Sequence, residues 1–195
     1  MKSLILTLLL LTALAVNAQT SWADSIYQYQ ANYKKDLAEI IKSDTGYVRF
    51  YAPDARYRVL ADVELLTGQN FFNMRTSDGK QKRARKYARI SFVLDGKKHR
   101  LFAYQLESLL NSKEYKDDFF IPFLDAGSGE QTYGGGRYID FKTSDVVNGK
   151  LPIDFNKAYN PYCAFTSGYS CPVPPRENTL EIEIAAGEMA FAKKK

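Results

Sequence analysis

The chain has 195 residues, 45% of them hydrophobic and 14% aromatic, with a formal net charge of +5. It is long and apolar enough to bury one core and too evenly mixed to be a repeat or low-complexity protein. A single histidine and two cysteines give only three soft ligands, too few for a structural zinc site, and no metal or cofactor is expected.

The opening stretch, MKSLILTLLLLTALAVNAQ, reads as a secretory signal. Lys2 supplies the positive start, Leu4 to Leu11 most of the apolar segment, and Val16-Asn17-Ala18 a small-residue cleavage site. The apolar run is short for a membrane span, which needs about 20 residues, and no cysteine marks a lipidated cut. The expectation is an exported protein, periplasmic or extracellular, with no transmembrane anchor after cleavage behind Ala18. Residues 19–195 then form one domain, a helix over 21–42 followed by a β domain over 47–190.

From Ser21 to Lys42, Ile26, Tyr29, Tyr33, Leu37 and Ile40 recur at three- and four-residue spacing and predict an amphipathic helix. Asp24 is placed to cap or favour its first turn, and Gly46 to end it in a left-handed conformation. The period then changes to two. In YRVLADVEL, Tyr57, Val59, Ala61, Val63 and Leu65 share one face. FFNMRT and YARISFVL follow, separated by SDGK, and Asp95-Gly96 predicts a type I′ hairpin into KHRLFAYQL. FFIPFLD, RYIDF, LPIDF and TLEIEIA complete the strands, with Pro122 expected at an edge or bulge. The fold class is mainly β: an antiparallel sandwich or partly closed barrel with one N-terminal helix.

Strands do not alternate with helices, so Gly134-Gly135-Gly136 in TYGGGRYIDF is no nucleotide loop; the glycines are expected to bend or bulge a strand. Arg75 to Arg100 hold much of the positive charge. Export argues against nucleic acid as the partner, and the preferred reading is a strand pair with a solvated basic face that discourages edge pairing. Anionic glycan or lipid headgroups are the exception.

The second half carries longer signatures. FIPFLDAGSGEQTYGGGRYIDF, then DFNKAYNPYCAFTSGYSCPVPPRENTLEIEIAAGE, with PDARYRVLADVE upstream, closely resembles the DUF1684 family, in which this chain looks like a short, exported version. The resemblance brings no established activity with it. Cys163 and Cys171, eight apart in an exported chain, invite a disulfide. The cytosolic relatives that the resemblance implies keep packed or reactive thiols as alternatives.

His99, the only histidine, lies among basic residues after a hairpin turn and is a poor triad base. Carboxylates are better candidates: Asp125, Asp140, Asp154 and Glu188 as acid and base. A ligand site is expected from Tyr133, Arg137, Asp140, Asp154, Asn156 and Tyr159, taking a small anionic or sugar-like molecule. Arg137 either clasps an internal carboxylate or faces a pocket, its planar fork fitting both. Asn160, before Pro161, is expected in a structural Asx turn. Three readings remain open: a binding domain, an acid–base hydrolase, and an envelope interaction or structural protein using the basic hairpin. The oligomeric state is not readable.

Overall fold

The computed structural model describes residues 21–193; the expected leader and its cleavage site lie outside the described residues. Helix α1 spans Trp22–Ile41. Ser21 is its cap and Asp24 favours the first turn: the Ser21 hydroxyl accepts from the Asp24 N–H while the Asp24 carboxylate accepts from the Ser21 N–H, a reciprocal capping box. The left-handed residue at its end is Lys42 (φ 51°), after which the chain tightens into a 3-10 turn, Lys42–Tyr47. Gly46 is not the stop that the sequence suggests, because the turn from Lys42 has already redirected the chain.

Seven strands make one antiparallel sheet: β1 Arg58–Leu65, β2 Phe72–Arg75, β3 Gln81–Leu94, β4 Lys97–Leu106, β5 Asp118–Phe123, β6 Arg137–Lys142 and β7 Lys150–Asp154. Their order is β6-β5-β4-β3-β1-β7, with β2 beside β3. Asp95 (φ 50°) and Gly96 (φ 73°) form the expected hairpin turn between β3 and β4. The sheet curls into a half-barrel. Its inner face buries Ile90, Leu101, Phe119, Ile121, Phe123, Leu151 and Phe155, each such side chain contributing about 1.5–3 kcal/mol.

A second apolar cluster, Met74, Ala84, Phe102, Tyr104, Phe120 and Tyr138, covers part of the outer face. Strand β3 serves both clusters because its register against β4 shifts between Lys86 and Ala88. The bulge reverses the alternation, so Ala84 points outward and Ala88 inward. The basic residues of β3 and β4 therefore lie on central strands, not at an edge. Several are paired there: Arg83 with Glu107, Lys86 with Glu177, Arg89 with Glu64.

Pro122 is also interior, between β6 and β4. It is tolerated because β4 and β5 share one paired position, Tyr104 with Phe120, before they part. The buried Asn178 side chain fills the gap: its Nδ2 donates to the Phe102 and Pro122 carbonyls, and its Oδ1 accepts from the Phe102 N–H. One amide thus stands in for the missing ladder.

TLEIEIA does not form a strand. Its alternation holds, with Leu180 and Ile184 buried, but it makes only isolated backbone bonds to the segment after β5, from the Leu180 N–H to the Leu124 carbonyl and from the Ala126 N–H to the Ile182 carbonyl, before it reaches Arg137. Arg137 Nη2 donates to the Ile184 carbonyl at 2.8 Å, and Nη1 to those of Ala186 and Glu188. Gly187 follows the same path (φ 77°); a Cβ there would sit 2.6 Å from the Ala158 and Phe155 carbonyls, so only glycine fits. Cys163 and Cys171 form a disulfide. No helix among the described residues is long and apolar enough to cross a membrane.

Candidate functional site

The glycines of TYGGGRYIDF lie in a turn before β6, not in a bulged strand. The Gly136 N–H closes it on the Tyr133 carbonyl. Gly136 has φ 85°, and a Cβ would meet Pro174 and the Phe123 carbonyl below 3 Å, so the turn packs directly on the proline loop. This sends Arg137 inward. Its side chain is 1% exposed, and Nη2 donates to Asp125 Oδ2 at 2.6 Å. Burial pushes the guanidinium pKa down and the Asp125 charge pushes it back up. With its Nη donors spent on Asp125 and three carbonyls, Arg137 is an internal clasp and offers no fork to a ligand. Asp125 is equally enclosed and also accepts from the Gly127 N–H.

Other expected site residues are structural for similar reasons. Asn156 is buried, exchanging hydrogen bonds with the Asp54 backbone through Oδ1 and Nδ2. Tyr133 is half-buried against Gly135. Glu188 is fully buried; its Oε2 accepts from the Asn160 N–H at 2.7 Å and the Tyr33 hydroxyl at 3.0 Å. Burial raises its pKa to about 8 despite those bonds. Asn160 braces Glu188 and the Met189 carbonyl instead of closing its own Asx turn. His99 is half-buried with its ring on Phe92, so it is not the solvated side chain its basic neighbours imply.

Asp140, Asp154 and Tyr159 do converge. Strands β6 and β7 are the two ends of the sheet, and among the described residues no ladder joins them. The seam between them is a cleft of about 540 Å³, lined from β6 by Asp140 and Phe141, from β7 by Pro152 and Asp154, and otherwise by Tyr29, Asp145, Lys157 and Tyr159. Pro152 suits the edge strand, where no ladder bond is lost. Helix α1 is pinned along the seam by long-range bonds: Trp22 Nε1 to Asp154 Oδ2 at 2.9 Å, the Tyr29 hydroxyl to the Lys157 carbonyl at 3.0 Å, and the Tyr33 hydroxyl to Glu188.

The two carboxylates differ. Asp154 is saturated, accepting from Trp22 through Oδ2 and from the Asn156 N–H and Nδ2 through Oδ1. Asp140 is exposed at the rim and accepts one side-chain bond, from the Tyr159 hydroxyl at 2.5 Å. Lys157 makes no ion pair among the described residues; its Nζ lies 5.7 Å from the centre of the Tyr29 ring. Tyr29 and Lys157 were not expected in the site. Helical spacing identifies Tyr29 only as core-facing, and nothing in the pattern of DFNKAYNP sets Lys157 apart from other surface lysines. No group of three or more His, Cys, Asp or Glu side chains among the described residues is arranged to hold a metal ion.

The family model described as a protein of unknown function, DUF1684, matches residues 46–189. No curated protein matches the chain. Among solved structures, the chain is similar to the solution NMR structure of the uncharacterized protein from gene locus rrnAC0354 of Haloarcula marismortui. The two are 32% identical, with 88% of this chain and 97% of the other covered and a TM-score of 0.64. The family match spans the clasp, the seam strands and the disulfide, and this chain belongs to the DUF1684 family.

Proposed function

We propose that the protein is an exported binding domain whose seam cleft takes a small polyhydroxylated, sugar-like molecule. The observation that carries this reading is the convergence of Asp140, Tyr159 and Lys157 in one cleft beside the Tyr29 and Phe141 rings. A carboxylate with spare acceptor capacity takes sugar hydroxyls, an ammonium group donates to ring and hydroxyl oxygens, and aromatic rings cover the apolar faces of sugars. The anionic ligand loses its main support with Arg137 enclosed. The hydrolase reading is weaker because Asp125 and Glu188 are buried and Asp154 has both oxygens occupied. That leaves Asp140 without a second free carboxylate among the four candidates to complete an acid–base pair.

Calorimetric titration with methyl glycosides, free monosaccharides, phosphate and sulfate tests the reading. Binding of a sugar that is lost in Asp140→Ala, with phosphate and sulfate inert, is the expected result. Failure of every polyol to bind, or tighter binding of the simple anions, would sink it.

A further inference from the structure

Asp140 and Tyr159 line a second cleft as well. On the far side of β6 lies a hollow of about 310 Å³ walled by Leu106, Leu109, Phe120 and Tyr138, with Asp140 and Tyr159 on its border. Its lining is more apolar than that of the seam. Leu106 packs against the outer-face cluster that contains Phe120 and Tyr138. The two clefts are joined by an aromatic track: Phe120 to Tyr138 with ring centres 5.5 Å apart, then Tyr138 to Tyr159 at 5.9 Å, both edge to face.

The track is held rigidly. The Tyr138 and Tyr159 backbones exchange hydrogen bonds at 2.9 and 3.0 Å, and the Tyr138 hydroxyl donates to the Pro172 carbonyl. The Tyr159 hydroxyl is fixed on Asp140. The seam, which holds Lys157, and the more apolar hollow therefore meet at one hydrogen-bonded pair, Asp140 and Tyr159. A molecule seated at that pair adjoins both clefts.

From this continuity we infer that the ligand is amphipathic: a polyhydroxylated head at Asp140, Tyr159 and Lys157, joined to an apolar tail that crosses β6 into the hollow of Leu106, Leu109, Phe120 and Tyr138. This rests on the sugar-binding reading of the seam and adds the tail. Neither half is complete alone. The hollow has no counterpart to Lys157, and the seam has no counterpart to the leucines of the hollow. Alkyl glycosides are the simplest compounds that combine both chemistries.

The test compares methyl and octyl β-glucoside, below micelle formation, with 1-octanol as the tail alone. Octyl glucoside is expected to bind at least about tenfold more tightly than methyl glucoside, since burying two methylenes suffices for that factor. Leu109→Glu is expected to bring the ratio of the two dissociation constants toward one. Nuclear Overhauser contacts between the octyl chain and the Leu106 and Leu109 methyls in the unaltered protein test the same placement without a variant. Equal affinity for both glucosides, or octyl contacts elsewhere, overturns the tail and leaves the sugar reading standing. Octanol binding as tightly as octyl glucoside, with methyl glucoside inert, overturns the head and the sugar reading with it.

Discussion

Arg137 and Asp125 form a fully enclosed ion pair, Nη2 to Oδ2 at 2.6 Å, with side-chain exposures of 1% and 0%. The same guanidinium binds three carbonyls of the 184–188 segment. Breaking a buried pair by removing one partner leaves the other charge uncompensated, typically at about 3–5 kcal/mol. Arg137→Met is therefore expected to destabilise by about that amount in urea unfolding. Arg137→Met combined with Asp125→Leu is expected to recover only part of it, because the three carbonyls stay without donors. Full recovery in the double variant would show that the carbonyl bonds contribute little.

Asn178 tests how an amide replaces a ladder. Asn178→Asp keeps the shape but turns the group that donates to the Phe102 and Pro122 carbonyls into an acceptor. It is expected to be at least as damaging as Asn178→Ala, with losses of about 2–4 kcal/mol for groups left unpaired. An aspartate variant as stable as the parent would refute the donor role.

Glu188 gives a pH dependence with a definite sign. Its folded pKa is raised from 4.5 to about 8, mainly by burial. Between those values the unfolded chain has released the proton and the folded chain keeps it, so stability falls as pH rises across this window and levels off above it. The slope from this one group is at most about 1.4 kcal/mol per pH unit. Glu188→Gln is expected to flatten the profile between pH 5.5 and 7.5 in paired urea titrations. Parallel profiles for variant and parent would remove Glu188 as the cause.

At the seam, Tyr159→Phe removes the bond to Asp140 and nothing else. Stability is expected to change by about 1 kcal/mol or less, and affinity for the sugar ligand to fall about five- to tenfold. A large stability loss with unchanged affinity would make the pair a structural brace.

The Cys163–Cys171 bridge closes a loop of eight-residue separation, for which chain entropy gives about 2–3 kcal/mol. Unfolding with and without reductant, against a Cys163→Ser/Cys171→Ser variant, measures it. The reduced parent and the double variant are expected to coincide, both below the oxidised protein.

The strands and the hairpin at Asp95-Gly96 were legible because alternation and turn chemistry are local. What the sequence could not show was which partner satisfies each backbone. TLEIEIA has the pattern of a strand, yet it makes only isolated backbone bonds to residues 124–126, and its Ile184 carbonyl goes to Arg137. Pro122 has the mark of an edge, yet Asn178, 56 residues on, makes its position tolerable. The β3 bulge reverses inside and outside with no glycine to announce it. The site was legible in part for the same reason: Asp140, Asp154 and Tyr159 belong to one stretch of chain, whereas Tyr29 reaches the seam from α1, more than a hundred residues earlier.

The dependence of Arg137 on residues 184–188 bears on how the chain tolerates shortening. The segment after β7 holds no strand or α-helix among its described residues, only three short 3-10 turns, and would pass for a trimmable tail. It supplies the acceptors for the most enclosed cation among the described residues, the amide that bridges β4 and β5, and the carboxyl under α1. Deletions that begin before residue 189 therefore amount to removing part of the barrel wall. The segment after β7 is as integral to this domain as any of its strands, and fusion partners belong beyond it.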